Sequence, residues 1–221
     1  MFRSGYVAVV GLPNVGKSTL LNKIIGEKVS IVTRKPQTTR HSIIGILNRP
    51  EAQILFLDTP GFHESDNMLN ERMLKASLAS LEDADLICHL IFPRIPLSEI
   101  DQKITLRAKE LKKPYLVVIN QVDTVTKETL LPIIEAAHAD WSPQDIIPIS
   151  ALQGDGCDLL VRWIQDHLPE GPAYFPQDQY TSQTTRFLCA EIVREKAMKW
   201  LHQEIPYGLI TQVEKFEEKE R

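Results

Sequence analysis

The sequence predicts a three-layer α/β fold on a six-stranded, mostly parallel sheet, and three observations predict it. Short apolar runs alternate with longer amphipathic segments from residue 5 to about 168, the rhythm of a parallel sheet with helices on both faces. Several runs, such as Leu116-Val117-Val118-Ile119, are apolar throughout, which suits strands buried on both faces. One pair of runs is separated only by Arg49-Pro50-Glu51-Ala52. That is hairpin length, too short for a parallel crossover, so one edge strand is expected to be antiparallel.

Taken in order, Tyr6–Val10 is the first strand, stopped by Gly11 and Pro13, and Lys17–Ile25 the first helix. Ser42–Asn48 and Gln53–Asp58 form the hairpin, and Asn67–Leu81 the next helix. Leu86–Phe92, Pro114–Asn120 and Asp145–Ile149 are strands; Ser98–Leu111, Lys127–His138 and Cys157–His167 are the helices between and after them. In the last helix Leu159, Leu160, Trp163, Ile164 and His167 make one stripe, a face packed on the sheet. Residues 169–185 are rich in Pro and polar side chains without periodicity and read as a linker. Arg186–Gln203 reads as an amphipathic helix carrying Phe187, Ile192, Met198 and Leu201, ended by Pro206. Leu209–Phe216 reads as one strand. One helix and one strand make no core alone, so residues 186–221 read as the incomplete start of a second domain.

Composition bounds the function. The chain has 221 residues, 43% hydrophobic and 24% charged, as in globular proteins. No apolar run nears the roughly 18 residues of a membrane span, and no secretory leader is expected. Three scattered cysteines point to a reducing, cytoplasmic setting rather than disulfides or zinc. The six histidines lack metal-ligand spacing and are expected to pack or to face solvent. A net charge of −4 argues against bulk affinity for nucleic acid. Residues 186–221 hold no G-x-x-G, the loop with which KH domains clamp RNA.

The chemistry lies in four motifs. Gly11-Leu12-Pro13-Asn14-Val15-Gly16-Lys17-Ser18-Thr19 fits the phosphate loop G-x-x-x-x-G-K-[ST] between a strand and a helix. Its backbone N–H groups and the helix N-terminus hold phosphate, Lys17 reaches the outer phosphates, and Ser18 offers a hydroxyl to Mg2+. Asp58-Thr59-Pro60-Gly61 ends an apolar strand; an aspartate there can hold Mg2+, and Gly61 lets the backbone approach a terminal phosphate. Asn120-Gln121-Val122-Asp123 and Ser150-Ala151-Leu152 each follow a buried strand at the carboxyl edge, where ligands bind. The Asp123 carboxylate can accept from the N1–H and amine of guanine, which adenine lacks.

This order of motifs resembles the translation-factor class of GTPases. Lys35-Pro36-Gln37-Thr38-Thr39-Arg40-His41, Asp58-Thr59-Pro60-Gly61-Phe62-His63, Arg194-Glu195-Lys196 and Ile205-Pro206-Tyr207 are more closely similar to the Era family of bacterial ribosome-associated GTPases. The resemblance implies a GTP-binding domain over 1–168 and the start of a KH domain over 186–221. It implies GTP and GDP as ligands, with Asn14 to Ser18 wrapping the phosphates. Ser18, Thr39 and Asp58 would hold Mg2+, Gly61 would sense the γ-phosphate, and Asn120 and Asp123 would read guanine. Ser150 and Ala151 would back the base, the Ala151 N–H donating to its O6. Slow hydrolysis would rest on Lys17, Thr39, Gly61 and Asn14, the last by holding potassium. Partners would be 16S rRNA and the 30S subunit through the full KH domain, with the protein a cytoplasmic monomer that also touches the inner membrane peripherally. Three departures stand out. Gln121 replaces the usual lysine, so weaker guanine binding is expected. Leu12 precedes Pro13, and Ile91–Pro96 replaces the usual acidic end of the fourth strand. Phe62 stands where Ras-type enzymes place a water-orienting glutamine. Two alternatives stay open at this stage: an ATP-dependent phosphotransferase on a phosphate loop, and a nucleotide-dependent adaptor without hydrolysis.

Overall fold

The computed structural model describes residues 1–33, 35, 38, 43–58, 80–201 and 209–217. Six strands form one sheet: β1 (Arg3–Gly11), β2 (Ile43–Arg49), β3 (Ala52–Asp58), β4 (Leu86–Ile91), β5 (Tyr115–Ile119) and β6 (Asp145–Pro148). Their spatial order is β2-β3-β1-β4-β5-β6. All neighbours are parallel except β2 and β3, whose pairing runs Ile43 against Asp58 to Arg49 against Ala52. The short connection, reduced to Pro50-Glu51 because Arg49 and Ala52 already pair, therefore gives the antiparallel edge that its length requires.

Alternation along the strands divides the core into two layers. Val7 and Val9 face α1 (Lys17–Ile25) and α4 (Cys157–His167), in one cluster with Leu20, Leu21, Leu160 and Ile164. Ala8 and Val10 face the other side, in a cluster with Ile104 of α2 (Glu99–Leu111) and Ile133 of α3 (Lys127–Trp141). The central strands β4 and β5 are buried along their whole length because both faces are covered. The expected helix Asn67–Leu81 lies outside the described residues except at its end, where 80–83 are helical. Among the described residues no helix is long and apolar enough to cross a membrane.

The C-terminal region departs from expectation in three ways. First, residues 169–182 are a docked strap rather than a free linker. Ser4 N donates to Pro169 O at 3.1 Å and Ile46 N to Tyr180 O at 2.9 Å, while Gly45 and Thr181 form an antiparallel bridge. The fully buried Gln53 accepts from Tyr174 N and Phe175 N at 2.7 and 2.9 Å and donates to Phe175 O at 2.8 Å. A buried amide needs such partners and an edge strand needs cover; Pro-rich composition reveals neither. Second, α5 (Thr185–Trp200) buries Arg194, Glu195 and Met198 instead of an apolar stripe, and Ile192 stays 39% exposed. Third, Leu209–Phe216 forms no strand. No strand lies beside it among the described residues to complete a ladder, and Thr211 Oγ1 donates instead to Ala190 O of α5 at 2.8 Å.

Candidate nucleotide-binding site

β1 delivers the phosphate loop to the carboxyl edge of the sheet. Gly11 has φ 143°, and a Cβ there would lie 2.2 Å from the Leu90 carbonyl oxygen. Gly16, the N-cap of α1, has φ 104°, and its Cβ would sit 2.2 Å from Asn120 Nδ2. Only glycine tolerates both the left-handed backbone and these approaches. Lys17, 7% exposed, opens α1 and folds back, donating through Nζ to the carbonyls of Gly11 at 3.1 Å and Leu12 at 3.0 Å. Burial pulls its pKa down to about 8, against the upward pull of Asp58 and Asp101. A bound polyphosphate would supply counter-charge at this amine.

Asp58, wholly buried, ends β3 beside this loop. Its Oδ2 accepts from Ser18 Oγ at 2.9 Å and from Ser30 Oγ at 2.6 Å. Its Oδ1 is buried without a hydrogen-bond partner among the described residues. Burial raises the Asp58 pKa; Ser30, Lys17 and Ser18 oppose it. An orphaned buried oxygen is costly unless a cation or donor reaches it, and one beside a hydroxyl ligand fits a hydrated Mg2+. Among the described residues no group of three or more His, Cys, Asp or Glu gathers, so such an ion would complete its shell with phosphate and water.

The base end is assembled around Asn120, 2% exposed. Its Nδ2 donates to Val15 O at 2.6 Å and its Oδ1 accepts from Ala151 N at 2.9 Å. One side chain thus ties three loops together. The Ala151 amide, expected to serve guanine O6, is engaged by Asn120 in this structure, because a buried N–H takes the acceptor at hand. Gln121 donates through Nε2 to Asn14 O at 3.0 Å. The glutamine therefore does reach the phosphate loop, which Asn120 has already drawn close at Val15, although it brings no charge. A short 3-10 turn over Val122–Thr124 carries Asp123 to the exposed rim. Ser150, fully buried, accepts at Oγ from Gln153 N at 3.1 Å and shapes the loop beneath Ala151.

Both ends open into one cavity of about 540 Å³. Its wall includes the predicted Pro13, Asn14, Gly16, Lys17, Ser18, Thr19, Asn120, Gln121, Asp123, Ala151 and Leu152. Gly11, Val15, Asp58 and Ser150 are buried and support it. Thr39, Gly61 and Phe62 lie outside the described residues. Sequence reasoning missed Ser30 on Asp58, and Lys35 and Lys199 on the cavity wall. Ser30 and Lys199 are lone residues in a loop and on a distant helix and carry no spacing signal, and the sequence marks Lys35 only as part of the Lys35–His41 motif.

A phosphate loop backed by a buried aspartate, with Asn120, Gln121 and Asp123 on the wall of the same cavity, is the arrangement of a phosphate-loop GTPase. A family profile described as "50S ribosome-binding GTPase" matches residues 6–121. GTPase Era of Syntrophus aciditrophicus is 44% identical over 220 residues, spanning 100% of this chain and 72% of the relative. GTPase Era of Geobacter metallireducens is 45% identical, spanning 99% of this chain and 74% of the relative. A crystal structure of Era with MgGDPNP and nucleotides 1506–1542 of 16S ribosomal RNA matches with a TM-score of 0.89 at 45% identity, over 94% of this chain and 70% of that one. Aquifex aeolicus Era carrying one substitution, bound to GDP·AlF4−, matches with a TM-score of 0.88 at 44% identity, over 93% and 70%. The chain belongs to the Era family and is a GTP-hydrolysing enzyme.

Proposed function

We propose that this chain is a GTP-driven switch that acts in assembly of the small ribosomal subunit. The carrying observation is the single cavity joining Lys17 and Ser18 to Asn120 and Asp123, long enough in chemistry to hold phosphates at one end and guanine at the other. The family relative bound to MgGDPNP and 16S rRNA supports the ribosomal assignment.

Residues 1–168 form the catalytic domain, 169–185 the docked connector, and 186–221 begin a KH-type RNA-binding domain. Phosphate-loop N–H groups and Lys17 hold the β- and γ-phosphates. Ser18, Thr39 and, through water, Asp58 would hold Mg2+, which neutralises phosphate charge when bound. Gly61 senses the γ-phosphate, and Asp123 accepts from guanine N1–H and its amine. GTP and its hydrolysis switch the protein through the γ-phosphate contacts of Thr39 and Gly61. Phe62 cannot orient water, so the rate depends on charge near the bridging oxygen; Asn14 would hold a potassium ion, and that ion would supply the charge. The protein works in the cytoplasm as a monomer, with peripheral contact to the inner membrane.

Single-turnover hydrolysis of GTP with saturating Mg2+ tests this reading. The expected result is faster turnover in KCl than in NaCl at equal ionic strength, no competition by ATP, and loss of turnover in Lys17→Ala. Equal competition by ATP would remove the guanine assignment, and equal rates in the two salts would remove potassium.

A further inference from the structure

The C-terminal helix reaches the nucleotide cavity. Lys199, in the last turn of α5, lines the cavity with Val32, Thr33, Lys35 and Thr38. By sequence, α5 belongs to the second domain, so no motif foretells this placement.

The contacts that hold α5 there are polar. Arg194 Nη2 donates to Thr38 O at 2.5 Å, and the guanidinium is fixed by Glu191 at 2.8 and 2.6 Å. Glu195 Oε1 accepts from Val32 N at 3.3 Å and pairs with Lys199 at 3.1 Å, while its Oε2 pairs with Lys28. Lys35 Nζ donates to the Met198 and Leu201 carbonyls at the C-terminal end of α5, where helix carbonyls lack partners and the dipole favours a cation. Arg194 and Glu195 are 3% and 2% exposed and Met198 0%, so the centre of the contact is dry.

The charges do not balance within the contact. Among the described residues, Lys28 and Lys199 pair with Glu195 and Arg194 with Glu191, while Lys35 meets carbonyls alone, so four cations face two carboxylates. Lys199 shares one carboxylate with Lys28 and keeps a half-exposed side chain at the cavity. A surplus of positive charge at a cavity suited to a polyphosphate is an electrostatic match.

We propose that α5 closes the nucleotide pocket in cis: Lys199 contacts the phosphates of the bound nucleotide, and the Arg194 and Glu195 contacts hold the pocket wall, so that release requires this helix to detach. The proposal rests on the guanine-nucleotide reading above. It makes the start of the second domain a determinant of nucleotide lifetime.

Release of fluorescent GDP, chased with unlabelled GDP in saturating Mg2+, tests it on the full 221-residue chain. Lys199→Ala is expected to release about fivefold faster, a change of about 1 kcal/mol, and Lys199→Arg to restore the parental rate. The gap between parent and Lys199→Ala should close as salt rises, since a phosphate contact at a half-exposed site is screened. Lys196→Ala, at an exposed position of the same helix, should release as the parent does. Glu195→Gln should speed release and raise amide hydrogen exchange at residues 28–33 while β1, β4 and β5 stay protected. Parental release rates in both Lys199→Ala and Glu195→Gln would overturn the proposal while leaving the GTPase reading intact. A Lys199→Ala gap indifferent to salt would overturn the phosphate contact. A parent chain that fails to retain GDP would overturn both readings together.

Discussion

Helices α4 and α5 both read as amphipathic, yet they bury opposite kinds of face. α4 packs Leu160, Val161 and Ile164 against the sheet, within a continuous apolar cluster. α5 buries Arg194, Glu195 and Met198 and leaves Val193 58% and Trp200 82% exposed. An apolar face gains from any dry surface, so its destination is fixed by the nearest sheet and does not change with ligand. A charged face is held only by matched partners, and those partners can be exchanged for water, ions or phosphate. The contrast separates the part of the molecule that carries stability from the part able to respond to a nucleotide.

The largest expected effect is on the α4 side. Ile164→Ala should cost about 2–5 kcal/mol, read as a lowered midpoint in urea denaturation. Met198→Ala, at a site equally buried, should leave that midpoint near the parental value and instead increase hydrogen exchange along α5. Equal midpoint shifts in the two variants would break the distinction drawn between the helices.

Next comes Asp123, whose partner is the ligand rather than the protein. Asp123→Asn should weaken GDP binding by about 1–3 kcal/mol, the cost of a lost charged hydrogen bond, and shift preference toward xanthine nucleotides. Titration with GDP and XDP measures both. A smaller gain is expected from Gln121→Lys. The amide already spans to Asn14 O at 3.0 Å, so an ammonium adds charge without new geometry and should tighten GDP binding by about 1 kcal/mol, with thermal stability unchanged.

The smallest effect concerns polar groups inside the apolar core. His89 Nε2 meets Asp101 Oδ1 at 3.0 Å and its Nδ1 meets Tyr115 OH at 2.9 Å, all buried. Burial alone would raise the Asp101 pKa, but the hydrogen bond and charge of His89, with the two bonds from Ser98, hold it below the ordinary carboxylate value. A folded-state pKa that is depressed contributes stability above the unfolded value, and that contribution is lost as pH falls through the folded one. Acid unfolding of the parent should therefore steepen below about pH 4, and Asp101→Asn should flatten that limb. An unchanged acid limb would show that this network, unlike the α5 contacts, is indifferent to charge.

Much of this was legible in one dimension because local rules decide it. Gly11 to Ser18 specify a phosphate loop, since glycine alone accepts φ 143° and 104° at Gly11 and Gly16. Apolar runs such as Leu116–Ile119 specify buried strands, and the short Arg49–Ala52 link specifies an antiparallel edge. Lys17, Asp58, Asn120 and Asp123 are picked out by motif order, because Asp58 ends a strand and the other three sit in the loops or helix start that follow strands at the same sheet edge. Tertiary structure alone decided the rest. Ser30 on Asp58, Gln53 on the 169–182 strap, Asn120 between Val15 and Ala151, and Lys199 on the cavity wall are single polar groups joined across long sequence separations. Hydrophobic periodicity reports which face a segment buries only when that face is apolar. A buried polar group is placed by the one partner that satisfies it, and that partner exists only once the chain has folded.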